Sequence, residues 1–266
     1  MREAHSGSDW SDPSVSITDN KIEQFHTDGY FVLESVIPDE HLALLRRACQ
    51  SAIEKMDAEM DAQGTDVIGI NHRNQRYFIG AAASTFVDLR RFVFSDLMAS
   101  TCRSVLGDTV YFKSDQFVVK HGKTSMEFAW HQDSGYAQQR IGDHPEILSC
   151  WCALDDVSEA NGTVYMLPMR RLGDKRVVDH ERMAETNDLV GYFGDDPGEP
   201  VIMSAGGMAV FSGMTFHRSG ANPTGKPRRV YLAQYTAAPM PGDDPADTNE
   251  LFVQNGRIVD AHRGPA

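Results

Sequence analysis

The chain has 266 residues, 41% of them hydrophobic and 9% aromatic, which suits one large globular domain and excludes a disordered chain. The formal net charge is −13, and because an acidic surface repels phosphate backbones, we expect no nucleic-acid partner. The sequence has neither an apolar run long enough to span a membrane nor the apolar core of a signal peptide, so we expect a cytoplasmic protein without membrane association.

The N-terminal part predicts a loose tail followed by helices. Residues 1–15 are polar and rich in Ser and Asp. Thr18 is a suitable N-cap for a short helix, and the β-branched and aromatic residues of 29–37 predict a strand. Apolar residues recur every three or four positions from Glu40 to Gln63, which predicts a long helix. A further helix is expected over Thr85–Val105.

Residues 64–80 show no clear periodicity, and two interpretations stay open. The segment carries His72, Arg73, Arg76 and Tyr77, which could belong to a loop that covers a site. A solvated connection is the commoner arrangement and is the interpretation that we favour.

From Thr109 onward the sequence predicts strands. Val-, Ile- and aromatic-rich segments alternate with clusters of Gly, Pro, Asn and Asp; they cover residues 109–120, 146–154, 163–168, 207–212 and 229–235. Strands joined by long irregular connections are typical of an antiparallel jelly roll. We therefore predict a mainly β fold with flanking α-helices, the N-terminal helices packing on one sheet.

The domain prediction follows from these elements. We expect one domain over residues 16–240, made of a helical part over 16–107 and a jelly-roll core over 108–240. Residues 170–200, rich in Arg, Asp and Glu, are expected to be an insertion between strands. Residues 241–266 are expected to form a C-terminal surface tail.

The segment FAWHQDSGY, residues 128–136, carries the candidate metal ligands. If it ends a strand, His131 and Asp133 project to the same face, because side chains alternate along a strand. Two histidines and one carboxylate form the facial triad of non-haem Fe(II) oxygenases. His217, about 85 residues later in FSGMTFHRSG, is the best third ligand, since a jelly roll brings such positions together at its mouth. The alternative is that all three are ordinary surface or loop residues.

A cation and a hydroxyl follow His217. Ser219 lies two residues and Arg228 eleven residues after it, and together they could hold the distal carboxylate of an organic co-substrate. Arg229 competes with Arg228, but adjacent strand residues face opposite sides, so only one can face the barrel interior. The alternative is that both arginines are surface charges beside a turn.

The succession HQDSGY, SCWCALDDV, NGTVYMLP, GMAVFS, HRSGAN and PRR resembles the phytanoyl-CoA dioxygenase family of Fe(II)/2-oxoglutarate oxygenases. The N-terminal IEQFHTDGYFVL is also similar, so the resemblance covers residues 18–236. It implies a double-stranded β-helix in which His131, Asp133 and His217 hold iron.

The same resemblance implies a co-substrate site. Arg228 would anchor 2-oxoglutarate with help from Ser219, and Trp151 and Gln116 would contact it. The cofactors implied are Fe(II), 2-oxoglutarate and O₂, for hydroxylation or another oxidation of a C–H bond with release of succinate and CO₂. Asp133 favours hydroxylation, or another oxidation such as desaturation or ring closure, over halogenation, because related halogenases have a small residue there.

The substrate implied is a small metabolite, and we expect it to be anionic and part of specialised-metabolite biosynthesis. Arg170 and Arg171 stand where family members have small and imidazole residues, and could contact such an anion. Arg76, Tyr136 and Arg140 are further candidates for the substrate wall. For all five, the alternative is a side chain facing solvent.

Two other function classes stay open. The first is a cupin-type metal-dependent isomerase or a zinc hydrolase, because zinc also accepts two histidines and a carboxylate. The second is a jelly-roll binding protein without catalysis. Ser219 and Arg228 favour the oxygenase, because neither alternative requires a dicarboxylate anchor. The sequence leaves the oligomeric state open.

Overall fold

The computed structural model describes residues 15–173, 175–184, 186–242 and 247–262. The described residues form the α-helices α1 Asp19–Asp28, α2 Asp39–Gln63, α3 Ala82–Thr85, α4 Arg90–Val93, α5 Asp96–Leu106 and α6 Asp133–Ile141. None of these helices has the length and apolar character needed to cross a membrane. Nearly all of the predicted N-terminal tail lies outside the described residues.

The strands are short except for two long central ones. They are β1 Tyr30–Leu33, β2 Val67–Ile68, β3 Asn71–His72, β4 Arg76–Gly80, β5 Val110–Lys120, β6 Phe128–His131, β7 Ile147–Ala153, β8 Val164–Met166, β9 Glu181–Arg182, β10 Leu189–Val190, β11 Glu199–Pro200, β12 Met208–Ser212, β13 His217–Ser219, β14 Arg228–Thr236, β15 Glu250–Gln254 and β16 Arg257–Ile258.

Two antiparallel sheets form the jelly roll that the sequence predicts. The larger follows the order β1-β12-β7-β14-β5-β4-β3-β2, with β15 paired to β5 and β16 paired to β15. The smaller follows the order β11-β8-β13-β6, and β9 and β10 form a separate hairpin. The prediction of a mainly β fold is confirmed.

Each face of the large sheet is covered by a different layer. Leu148, Cys150 and Cys152 of β7 join α1, α2 and α5 in the larger core. Trp151, between two of them, packs with Val164 of β8 in the core between the sheets. Every residue of β7 is buried because both faces are covered. The helices therefore pack on one sheet, and the interior between the sheets is left for a site.

The predicted helix over Thr85–Val105 is wrong in one respect, because the chain breaks it into α3, a 3-10 turn at Val87–Leu89, α4 and α5. Ser95 explains the last break. Its backbone is extended and its hydroxyl accepts a hydrogen bond from Met98 N–H, which caps a new helix. The strand predicted over 29–37 is also shorter, as β1 ends at Leu33.

The prediction that residues 64–80 form a solvated connection is wrong. Their strands β2, β3 and β4 extend the large sheet, and β4 pairs with Gln116–Lys120 of β5. Arg76 and Tyr77 are fully buried. The sequence could not indicate this, because Asp188, which pairs with the Arg76 charge, lies far along the chain in the insertion over 170–200.

The prediction of a surface tail over 241–266 is also wrong. Glu250–Gln254 form β15, which pairs with Val110–Phe112 of β5 and buries Phe252 and Val253 completely. The reason lies in the length of β5, which extends beyond the part that β4 covers. An open strand edge of this kind accepts another strand. The large sheet thus joins residues on both sides of the predicted domain limits, and the division at 107/108 stays a prediction.

Candidate active site

His131 and His217 meet because their strands pair. His131 ends β6, His217 begins β13, the two are register partners, and their ring centroids lie 4.0 Å apart. Asp133 is the first residue of α6, so the prediction that it shares a strand end with His131 is wrong. The helix start nevertheless brings Asp133 Oδ1 to 3.8 Å from His131 Nε2 and 3.6 Å from His217 Nε2.

Both imidazoles present the nitrogen that a metal requires. Nδ1 of His131 donates to Ala129 O at 2.9 Å, and Nδ1 of His217 donates to Thr215 O at 3.0 Å. A carbonyl only accepts, so the proton sits on Nδ1 and the Nε2 lone pair faces Asp133. Burial, and then the neighbouring His217, lower the pKa of His131, which keeps it neutral. The three ligand atoms lie within 4.8 Å of one another and fit a divalent metal such as Fe(II).

A cavity of about 370 Å³ opens beside this triad. It is also lined by the four residues predicted to bind 2-oxoglutarate, which are Gln116, Trp151, Ser219 and Arg228. The strands explain the grouping of Gln116, Trp151 and Arg228, because β5, β7 and β14 are neighbours in the large sheet and present alternate residues inward. Ser219 reaches the cavity from β13 of the smaller sheet.

Arg228 is fully buried, and its guanidinium lies 5.5 Å from the centroid of the Trp151 ring. Nη2 donates to Gly162 O at 2.8 Å, whereas Nε and Nη1 have no partner among the described residues. Burial lowers the pKa of Arg228 to about 10, so it stays charged near neutral pH. A buried cation with two unused donors fits a carboxylate in the cavity.

Arg229 faces the opposite side of β14. Its Nε and Nη2 donate to the two carboxylate oxygens of Asp155 at 2.9 and 2.7 Å. That pair satisfies the Arg229 charge outside the cavity. The geometry therefore favours Arg228 over Arg229 as the co-substrate anchor.

The predicted substrate residues divide into two groups. Tyr136 and Arg140 of α6 line the cavity. The Tyr136 ring stacks near Phe128, and its hydroxyl accepts a hydrogen bond from Leu189 N–H. These two positions agree with a role in the substrate wall.

Three predicted substrate residues lie outside the cavity. Arg76 is paired to Asp188 at 2.9 Å and donates to the carbonyls of Ile70, Glu127 and Thr186. Arg170 pairs with Asp28 and Glu199, and Arg171 pairs with Asp196 and Glu199. The sequence could not reveal these carboxylates, because most of them are distant in the chain. The positions do not support substrate contact by Arg76, Arg170 or Arg171.

The sequence analysis missed polar residues on the same cavity wall, including Lys113, Ser114 and Gln234. Gln234 could have been found, because it lies six residues after Arg228 and an even spacing on a strand places both on one face. Lys113 could not have been found in this way. The pairing of β5 with β14 is irregular near Gln234, so the register shifts there and simple alternation does not predict which face Lys113 occupies.

A family model described as phytanoyl-CoA dioxygenase (PhyH) matches residues 25–230. The chain belongs to the phytanoyl-CoA dioxygenase family. It is 29% identical to an ectoine dioxygenase of Sphingopyxis alaskensis over 97% of this chain and 77% of that protein. It is 23% identical to phytanoyl-CoA dioxygenase domain-containing protein 1 of Danio rerio over 81% of this chain and 88% of that protein.

Solved structures share the fold of this phytanoyl-CoA dioxygenase family member. EvdO2 of Micromonospora carbonacea, solved with 2-oxoglutarate, superposes with a TM-score of 0.65 and 22% identity over 88% of this chain and 98% of that chain. EctD of S. alaskensis superposes with a TM-score of 0.62 and 23% identity over 88% of this chain and 79% of that chain. Family and fold together make this chain an Fe(II)/2-oxoglutarate-dependent dioxygenase that uses O₂.

Proposed function

We propose that this dioxygenase hydroxylates an unactivated C–H bond of a small anionic metabolite in specialised metabolism, with release of succinate and CO₂. The observation that carries the proposal is Arg228, a fully buried cation that lies beside the His131–Asp133–His217 triad and has two donors without a partner in the described part of the chain. Relatives named multifunctional dioxygenase, from Penicillium brasilianum, and a similar structure from nogalamycin biosynthesis support the setting.

The residues of the chain would bind, orient and exclude water. Bound Fe(II) with 2-oxoglutarate and O₂ supplies an oxidant that can attack a C–H bond. His131, Asp133 and His217 would hold the metal and leave positions open. Arg228 would bind the far carboxylate of 2-oxoglutarate through charge-assisted hydrogen bonds. The apolar cavity wall, which includes Leu232, would exclude water and hold the substrate at the metal.

The size of the cavity supports a small substrate. Ligand cavities commonly span about 300–1,000 Å³. At about 370 Å³ this one lies near the lower end, and it has to hold the co-substrate as well. We therefore propose a compact metabolite and not a whole acyl-CoA thioester.

The charges on the α6 side of the cavity support an anion. Lys113 and Arg140 both line it. Asp247 lies 2.8 Å from Lys113 Nζ and 3.9 Å from Arg140 Nη2. These cationic side chains on the cavity wall support a substrate that carries a carboxylate.

His131→Ala tests the proposal, because it removes one metal ligand. Wild type mixed with Fe(II) and 2-oxoglutarate without O₂ should show a visible absorption band, and His131→Ala should lose both this band and succinate release. His26→Ala, at an exposed histidine outside the cavity, is the matched control and should retain both. A variant His131→Ala with wild-type succinate release, or a wild type without the band, contradicts the proposal.

A further inference from the structure

The carboxylate of Asp133 is held on one side only. Oδ2 accepts hydrogen bonds from Ser149 Oγ at 2.6 Å and from Gln234 Nε2 at 3.0 Å. Oδ1 is the oxygen that faces His131 Nε2 and His217 Nε2. The two oxygens of one carboxylate thus have different neighbours, and the donors occupy the oxygen turned away from the candidate metal position.

Gln234 is itself held in one orientation. Its Oε1 accepts from Ser114 Oγ at 3.1 Å and from Lys113 Nζ at 3.4 Å. An ammonium group can only donate and an ionised carboxylate can only accept. The amide oxygen must therefore face Lys113 and the amide nitrogen must face Asp133, whichever way the hydroxyls turn.

Lys113 is fixed in turn by a buried partner. It is 5% exposed, and its Nζ lies 2.8 Å from Oδ1 of Asp247, whose side chain is 2% exposed. The series Asp247, Lys113, Gln234, Asp133 therefore runs from the substrate side of the cavity to the candidate metal ligand. The first link is an ion pair, and the other two are hydrogen bonds from a donor to an acceptor.

We propose that Gln234 is a positioning residue of the metal centre: it fixes Asp133 so that Oδ1 alone is presented to the metal, and Lys113 sets the direction of its amide. The inference rests on the proposed function, because it assumes that the triad binds a metal. Without Gln234, Ser149 would be the one remaining described donor to Oδ2, and Asp133 could rotate and present both oxygens, which would fill a coordination position that the co-substrate needs.

The test uses Co(II), whose visible spectrum reports the number and arrangement of its ligands. Loss of a residue that orients a metal ligand commonly weakens metal binding by about 10–100-fold. We expect Gln234→Met to weaken Co(II) binding within that range and to change the visible bands of the Co(II) protein. Gln254→Met, the same substitution at an exposed glutamine of β15 outside the cavity, should leave the Co(II) affinity and the bands unchanged.

Gln234→Glu separates orientation from charge. At about pH 8 the new side chain is ionised and keeps the shape of glutamine, but it can no longer donate to Asp133. A negative charge alone would strengthen Co(II) binding, whereas loss of the donor should weaken it and change the bands. Circular dichroism of each variant confirms that the fold is retained.

The outcomes distinguish this inference from the proposed function. Wild-type protein that fails to bind Co(II) contradicts the metal site and with it the proposed function. Wild-type binding together with unchanged affinity and bands in Gln234→Met, or tighter binding with unchanged bands in Gln234→Glu, overturns the role of Gln234 alone.

Discussion

Two adjacent arginines on β14 face opposite sides of the sheet and therefore have different roles. Arg228 points between the sheets and has two donors without a partner in the part of the chain that the structure describes, whereas Arg229 points outward to Asp155. The alternation along a strand made this separation predictable from the sequence. The sequence alone did not identify the arginine that faces inward, because it does not show which side of β14 the second sheet covers.

Arg228→Lys should raise the 2-oxoglutarate KM by about 30-fold or more, since changing a buried partner of a charge pair costs about 2–5 kcal/mol. Lysine keeps the charge but loses the planar guanidinium. The measurement is succinate release as a function of 2-oxoglutarate concentration. Arg229→Lys is the matched control, and a larger KM effect there would show that the assignment is wrong by one residue.

At the metal site, the sequence predicted the residue types but not all of their supports. His131, Asp133 and His217 were found from the spacing of the motif, and the structure brings them together. Ser149 and Gln234, which hold Asp133, lie on strands whose partners are set by the fold. Their contacts arise between chain segments, so local pattern could not reveal them.

Among the elements, the turn from β6 into α6 sets the site. His131 ends the strand and Asp133 starts the helix, so a single peptide segment supplies two candidate ligands from different elements. Gly135 is required in this turn, because a Cβ there would collide with the His180 ring. The sequence indicated the motif but not the helix that begins at Asp133. Gln132, at the N-cap position, makes no side-chain capping hydrogen bond, so the sequence carries no capping signal for this helix.

Elements distant in sequence are joined by a buried ion pair. Arg76 of β4 and Asp188 beside β10 lie 2.9 Å apart with side chains 0% and 3% exposed, and Asp188 also accepts from Ala129 N–H of β6. The pair therefore fastens the insertion over 170–200 to the strand that carries His131.

Arg76→Met should destabilise the protein by about 3–5 kcal/mol, because it leaves the Asp188 carboxylate buried without its cation. Urea denaturation measures this loss as a lower midpoint. The double variant Arg76→Met/Asp188→Leu should recover part of it, because no buried charge remains unpaired. A single variant as stable as the wild type would rule out this role for the pair.

For the molecule as a whole, the sequence predicted the sheet and helix layers better than the edge strands of the large sheet. A succession of strands joined by long irregular connections predicted a jelly roll with helices on one sheet. The edge strands β2 to β4 and β15 were missed because they form where β5 leaves unpaired backbone, which depends on the finished sheet. Long-range pairing, and not local propensity, decides these segments.

Stability should depend on pH through histidines that full or partial burial keeps neutral. His180 Nε2 accepts from Gln132 N–H at 2.9 Å, and burial lowers the pKa of His180. The pKa values of His72 and His121 are lowered for the same reason. Below about pH 6.5 the unfolded chain binds protons that these folded groups do not, so stability is complete above that pH and falls as the pH decreases.

His180→Gln tests one of these groups, since glutamine can still accept from Gln132 N–H but does not titrate. The free energy of unfolding, measured by urea denaturation between about pH 5 and 8, should fall less steeply on acidification than in the wild type. Identical pH profiles for the two proteins would exclude His180 as a contributor.

The two unpartnered nitrogens of Arg228 have a consequence beyond turnover. A desolvated guanidinium with two unsatisfied donors weakens the native state, so a bound dicarboxylate would stabilise the fold itself. A ligand at about 100 times its dissociation constant contributes roughly 2.7 kcal/mol. The melting temperature would then rise with 2-oxoglutarate concentration, and the lifetime of the protein against proteases would follow the supply of its own co-substrate.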